Sequence, residues 1–112
     1  RSSDLAMAEK LRAALSRREV AIRDFYDIDY AVRKMGLDLQ APAQLDLVRR
    51  KLSIPGNEPV DMSGSRLAAL RQQLIAQLKP VLRTQDFESF DLESVFQRVA
   101  AVASLLAKNN LP

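Results

Sequence analysis

Apolar residues recur three and four positions apart through most of the chain, a spacing typical of amphipathic helices. One such segment near the end has its apolar positions at Leu92, Val95, Phe96, Val99, Val102 and Leu106. Another, earlier segment has them at Leu67, Leu70, Leu74, Ile75 and Leu78. We expect both stripes to lie in the core. No segment alternates apolar and polar residues over the length of a strand. The pattern therefore predicts an all-α protein, a single compact bundle of about five helices.

Residues that begin or end helices divide this pattern into segments. Gly36 suits the left-handed position that follows a helix, and Pro42 suits the first turn of the next helix. The Pro- and Gly-containing residues 54–63 predict a loop. The predicted helices run to about Ser16, from Val20 or Ala21 to Met35, from Pro42 to about Leu52, from Ser63 or Ser65 to Pro80, and from Asp91 onwards.

Composition limits the chemistry that this chain can perform. Its 112 residues suffice for one domain, residues 1–112, with a modest core, and 47% of them are apolar. The absence of Cys and His excludes disulfides, thiolate zinc sites and imidazole acid–base catalysis within the chain. No apolar run approaches a membrane span and no signal peptide is visible, so we expect a cytoplasmic protein without membrane contact.

The net charge of +3 is unevenly distributed. Residues 1–51 contain eleven Lys and Arg against eight Asp and Glu, whereas residues 52–112 contain six of each sign. Two basic runs, Arg17–Arg18 and Arg49–Lys51, lie in the first part. Each run is either a solvated helix end or a contact to the phosphate backbone of an RNA.

Four ionisable residues lie at or inside the apolar stripes of the first two helices. A helix advances about 100° per residue, which places Lys10 at the edge of the first stripe. It also places Asp24 inside the second stripe, close to Met35, which we expect to be buried. Arg23 and Asp27 adjoin Asp24 and form an i,i+4 pair. Lys10 faces these residues if the two helices pack as a hairpin. We refer to Lys10, Arg23, Asp24 and Asp27 as the charged edge.

Two interpretations of the charged edge stay open from the residues alone. Lys10 is either an ordinary lysine that extends along the core boundary into solvent, or one whose amine projects into a cleft. Asp24 is either a first-turn carboxylate that meets free backbone amides, or a carboxylate held at the mouth of a site.

Asp27 and Asp29 have the Asp-x-Asp spacing of a two-carboxylate magnesium site. That site requires a strand, where residues i and i+2 share a face. On a helix the two side chains diverge by about 200°. We therefore predict no metal site on this chain.

Two segments of the charged helices resemble signatures of a known family. They read Glu9-Lys10-Leu11-Arg12-Ala13 and Arg23-Asp24-Phe25-Tyr26-Asp27-Ile28. The first resembles the Glu-Lys-Leu-x-Ala helix, and the second the Arg-Asp-x-Tyr-Asp-Leu motif, of the AbiEii/AbiGii nucleotidyltransferase toxins. The motifs have the order and spacing of the C-terminal half of that family, and the resemblance covers residues 5–35.

The resemblance implies a protein of the DNA polymerase β-like nucleotidyltransferase superfamily. Such a protein transfers a nucleoside monophosphate from an NTP, with Mg²⁺, to an acceptor such as RNA. The family acts as the toxin of bacterial toxin–antitoxin and phage-defence systems. By motif match, Lys10 contacts the NTP phosphates and Asp24 is the helical acid that supports catalysis. Arg23 and Asp27 shape and orient the nucleotide site.

The chain has Ile28 in place of the final Leu of the second motif, and it departs from the family more widely in its catalytic residues. A catalytic Gly-Ser followed by paired carboxylates on a strand is absent, since Gly64-Ser65 is followed by Arg66-Leu67-Ala68. The chain also begins with Arg1 rather than Met. We therefore expect a fragment that lacks the mixed-sheet N-terminal nucleotidyltransferase domain, is inactive alone, and meets Mg²⁺ and NTP only in the full-length parent.

The expected partners follow from this departure. They are NTP, an RNA acceptor, the missing N-terminal domain and, through apolar surface that its removal exposes, a second copy of the chain. The alternative function is a non-catalytic helical interaction module that binds a protein or nucleic acid through its basic first half.

Overall fold

The computed structural model describes the backbone of residues 2–109 and the side chains of residues 4–108. Within them the chain forms six α-helices and no strand, which confirms the all-α class. The helices are α1 (Ser2–Ser16), α2 (Ile22–Met35), α3 (Pro42–Leu52), α4 (Gly64–Gln73), α5 (Thr84–Ser89) and α6 (Leu92–Asn109). The helix α5 has only six residues, too few to show apolar periodicity in the sequence.

The helix ends confirm several sequence predictions. Gly36 follows α2 with a left-handed φ of 66°, and its N–H donates to the carbonyl of Ala31. Pro42 is the first residue of α3. Ser63 caps α4 by accepting a hydrogen bond from the Arg66 amide. None of the described helices is long and apolar enough to cross a membrane.

The helix α1 lies at the centre of the bundle and packs against α2, α3 and α6, and α2 also packs against α6. The Phe25 and Phe96 rings stack between α2 and α6 with their centroids 6.1 Å apart. Fully buried apolar side chains from several helices fill the core, among them Leu11, Leu15, Ile22, Ile28, Val48, Leu70, Val95, Val99 and Val102. The predicted face of α6 is buried throughout.

Two side chains expected in the core are exposed instead. Ile75 is 56% exposed because α4 continues into a π-helical turn, Leu74–Leu78. In a π-helix the hydrogen bonds close over five residues, so side chains no longer follow the α-helical period. Met35 is 69% exposed because it is the last residue of α2, where the helix leaves the core.

Candidate functional site

Lys10 and Asp27 form an ion pair between α1 and α2. The Lys10 Nζ lies 2.6 Å from the Asp27 Oδ2, and the two side chains are 38% and 43% exposed. Lys10 therefore does not extend into solvent alone, but holds a carboxylate on the neighbouring helix. Because both groups remain open to water, the pair can exchange its partners for those of a charged ligand.

Asp24 lies one turn before Asp27 and is only 8% exposed. Its Oδ2 lies 3.4 Å from the Arg17 Nη1 and makes no hydrogen bond to the described residues. Burial raises the pKa of Asp24, and the positive charges of Arg17 and then Lys10 oppose that rise. Asp24 is therefore a buried carboxylate with free hydrogen-bonding capacity, next to two cations.

The backbone amides at the start of α2 do not explain Asp24. Asp24 lies in the first turn, yet its carboxylate accepts no hydrogen bond from an amide of the described residues. The Ile22 amide donates instead to the Gln73 Oε1, at 2.7 Å. Of the two interpretations of Asp24, the contact with free backbone amides is therefore not what the structure shows.

Asp29 differs from Asp27 in both burial and partner. Asp29 is 4% exposed, and its Oδ2 accepts from the Arg33 Nε at 2.7 Å, one turn along the same helix. Burial raises the pKa of Asp29 as well, against the hydrogen bond from Arg33. The two carboxylates of the Asp-x-Asp spacing thus have separate partners, Lys10 and Arg33. Over residues 2–109, no three acidic side chains come together as a metal site would require.

Arg23 is the exposed member of the charged edge. The sequence predicts an i,i+4 pair between Arg23 and Asp27, and this prediction is wrong. No ion pair joins them among the described residues, because Lys10 from α1 holds the Asp27 carboxylate. Arg23 adjoins Asp24 in sequence and leaves its guanidinium to solvent. The structure thus brings Lys10, Asp24 and Asp27 together, with Arg17 as an additional member.

Both basic runs are largely engaged with acidic side chains. Arg17 contacts Asp24, and the Nε of Arg18 lies 3.3 Å from a carboxylate oxygen of Glu58. In the second run, Arg49 pairs with Asp46 at 3.1 Å, and Lys51 pairs with Glu9 at 3.4 Å. An open cleft of about 430 Å³ lies beside Arg17 and Arg18, between the end of α1 and residues 58–61.

Sequence reasoning missed two polar side chains of α4, the buried Arg66 and the partly buried Gln73. Arg66 donates to the Ala14 carbonyl in the last turn of α1, at 2.8 Å, and to the Arg17 carbonyl just after the helix, at 2.9 Å. Gln73 bonds to Val20 and Ile22 at the start of α2. The sequence did contain an indication of these contacts. Arg66 and Gln73 have the i, i+4, i+7 spacing that places them on the same face of α4 as the core residue Leu70.

The comparisons with known proteins agree with the motifs. A family model described as nucleotidyl transferase AbiEii toxin, type IV TA system, matches residues 5–104. No curated protein and no solved structure matches the chain. The matched region contains all four residues of the charged edge and extends well beyond the two motifs, into α6. The chain therefore belongs to the AbiEii family of nucleotidyl transferase toxins.

Proposed function

We propose that this chain is the C-terminal helical domain of a toxin nucleotidyltransferase and supplies one wall of its NTP site. The observation that carries the proposal is the placement of the Lys10–Asp27 pair beside the buried carboxylate of Asp24, which has an oxygen without a hydrogen bond. Packing alone does not account for such a carboxylate, because burying it without a hydrogen bond opposes folding, and the Arg17 Nη1 approaches it only to 3.4 Å.

Lys10 is suited to binding the phosphates of the nucleotide. Its ammonium group is held by Asp27 in the absence of ligand, and both groups are partly open to water. A triphosphate carries more negative charge than a carboxylate and competes with Asp27 for the ammonium. Arg23, exposed on the same edge, adds a second cation for the nucleotide.

Asp24 is suited to accepting a hydrogen bond or a proton from a group that enters the site. Burial raises its pKa above that of an exposed aspartate, which makes it a better proton acceptor. The positive charges of Arg17 and Lys10 oppose that rise. We propose that Asp24 supports transfer in this way, with Asp27 orienting Lys10.

A divalent metal, which nucleotidyl transfer uses in general, does not fit the described residues. No three acidic side chains converge, and Asp27 and Asp29 are each held by a cation. We therefore propose that the metal-binding carboxylates belong to an N-terminal nucleotidyltransferase domain of the same protein. With that domain, Mg²⁺ and NTP, the toxin modifies an acceptor, which we propose is RNA.

Transfer of a nucleotide by the full-length protein tests this proposal. Labelled NTP, Mg²⁺ and total cellular RNA are incubated with the wild type, Lys10→Ala and Asp24→Ala. We expect each variant to lose at least about 100-fold in rate while circular dichroism shows an intact bundle. Matched controls are Lys34→Ala and Glu88→Ala, which change exposed residues outside the charged edge and should retain activity.

The same variants separate the proposal from a purely binding function. A helical interaction module depends on its basic surface rather than on Asp24. Wild-type rates and wild-type toxicity in both Lys10→Ala and Asp24→Ala would therefore refute the nucleotide site. Loss of toxicity only on reversing the charges of Arg17 and Arg18 would favour the interaction module.

A further inference from the structure

The five residues 17–21 that join α1 to α2 are held by side chains from α4. Arg17 begins this linker and contacts Asp24, which lies three positions after its end. The distance between Arg17 and Asp24 therefore depends on how the linker backbone is fixed. Its sequence contains no Pro or Gly that would restrict or direct its path.

Arg66 fixes the start of the linker. Its Nη2 and Nε donate to the Ala14 carbonyl at 2.8 and 3.3 Å, and its Nη1 donates to the Arg17 carbonyl at 2.9 Å. The Ala14 carbonyl, in the last turn of α1, has no helical amide to pair with, and the Arg17 carbonyl lies just after the helix. A single planar guanidinium thus spans the last turn of α1 and the first linker residue, which a lysine ammonium cannot reproduce.

Gln73 fixes the end of the linker. Its Nε2 donates to the Val20 carbonyl, and its Oε1 accepts from the Ile22 amide, both at 2.7 Å. The side-chain amide of Gln73 thus donates one hydrogen bond to this extended backbone and accepts another from it, as a neighbouring β-strand would. Ile22 is the first residue of α2, so Gln73 sets where the helix that carries Asp24 begins.

Arg66 and Gln73 lie seven residues apart, which places them on one face of α4. From this face they hold the two ends of a segment whose first residue contacts Asp24. We propose that Arg66 and Gln73 are positioning residues that keep Arg17 against Asp24 in the nucleotide site, an inference that rests on the proposed function for its catalytic consequence.

Two substitutions in the full-length protein test this positioning. Arg66→Lys keeps the charge but loses the planar fork, and Gln73→Met keeps the size but loses both hydrogen bonds. In the wild type the positive charge of Arg17 lowers the pKa of Asp24. Either substitution should release Arg17 from its position and so remove this effect. We expect the pKa of Asp24, followed by carbon NMR of its carboxyl group, to rise as far as in Arg17→Gln.

Activity provides the second readout. The acid limb of the pH–rate profile should move to higher pH as the pKa of Asp24 rises. The value of kcat/KM should fall about 10- to 100-fold, because small misplacements of active-site groups lower rates by such factors. Arg71→Lys and Gln72→Met are matched controls on the exposed face of α4 and should change neither readout. If Arg66→Lys does not fold, Gln73→Met decides the question by itself.

A double variant separates positioning from a general loss of stability. Adding Gln73→Met to Arg17→Gln should lower stability further but leave the pKa of Asp24 where Arg17→Gln puts it. An additional rise would overturn the inference, as would an unchanged pKa in Gln73→Met alone. If the pKa moves as expected but Asp24→Ala transfers nucleotide normally, the positioning stands and the proposed function fails.

Discussion

The helices α2 and α6 pack on each other and share one amphipathic pattern, but they bury different chemistry. The buried residues of α6 are all apolar among those described, whereas α2 buries Asp24 and Asp29 alongside Ile22, Phe25, Ile28 and Ala31. Burying a valine favours folding and burying a carboxylate opposes it. The sequence of α6 is thus accounted for by packing, and the sequence of α2 is not.

The two buried aspartates of α2 sharpen this contrast. Arg33, from the same helix, satisfies Asp29 at 2.7 Å. Asp24 has its nearest cation, Arg17, outside the helix at 3.4 Å, and its Oδ2 makes no hydrogen bond to a described residue. Burial alone therefore does not distinguish the two carboxylates. Their partners do, because Asp29 accepts a hydrogen bond from Arg33, whereas the Asp24 Oδ2 accepts none from a described residue.

The largest effect on the free energy of unfolding is expected from the apolar face of α6. Phe96→Ala removes a ring that is 5% exposed and stacked on Phe25. We expect it to lower the free energy of unfolding by about 3–5 kcal/mol, measured by urea denaturation. Phe87→Ala on α5, where the ring is only half-buried, serves as the control and should lose less. A loss below about 1 kcal/mol for Phe96→Ala would contradict the packing of α2 on α6.

A smaller effect is expected from removing the partner of Asp29. Arg33→Met leaves that carboxylate buried without a cation, and we expect a loss of about 1–3 kcal/mol in the free energy of unfolding. Arg83→Met breaks an exposed pair with Asp86 and should lose less than about 1 kcal/mol. If both variants lose equally little, the Asp29–Arg33 ion pair does not stabilise the fold. Adding Asp29→Asn to Arg33→Met should recover part of the loss.

The sequence predicted most of the fold because packing and helix ends depend on local patterns. The apolar face of α6 follows from its spacing, and Gly36 and Pro42 mark helix ends by their backbone geometry. The contacts of Arg66 and Gln73 could not be predicted in this way. Their partners are backbone groups around fifty positions earlier, and no residue type identifies a carbonyl that needs a donor.

For the charged edge, the sequence predicted the burial of Asp24 but not the partner of Asp27. The helical angle placed Asp24 in the apolar stripe from the sequence, and the structure shows it buried. The partner of Asp27 depends on how α1 lies against α2, which a pattern within one helix does not contain. The i,i+4 spacing of Arg23 and Asp27 is visible within α2, whereas the sequence placed Lys10 near Asp27 only on the condition that α1 and α2 pack as a hairpin.

The Lys10–Asp27 pair should matter for ligand binding rather than for folding. Its side chains are exposed enough for Lys10→Met to change the free energy of unfolding by less than about 1 kcal/mol. In the full-length protein the same variant should weaken NTP binding about tenfold or more, since a hydrogen bond to a charged group contributes about 1.5–3 kcal/mol. Isothermal titration with a non-hydrolysable NTP measures this. The control, Lys51→Met, breaks the pair with Glu9 and should bind NTP normally. Unchanged binding by Lys10→Met would place the phosphates elsewhere.

The smallest effect concerns the pH dependence of stability. Burial raises the pKa of Asp24 above its ordinary value of 3.8, so the folded state binds a proton more tightly than the unfolded state. The contribution of Asp24 to stability is therefore greatest at low pH and is lost as pH rises through the folded pKa. Asp24→Asn, which stays neutral, should be more stable than the wild type at pH 7, and this difference should vanish as pH falls below the ordinary pKa of 3.8.

Asp61 provides a control whose contribution to stability should change with pH in the opposite direction. Hydrogen bonds from Ser63 lower the pKa of Asp61, so its contribution to stability is present at neutral pH and is lost as pH falls through the folded pKa. Asp61→Asn should therefore be less stable than the wild type at pH 7, with the difference again vanishing in acid. Urea denaturation of both variants at several pH values measures the two signs. Equal signs would mean that Asp24, like Asp61, is stabilised in its ionised form, and would contradict the cost of burial assigned to Asp24.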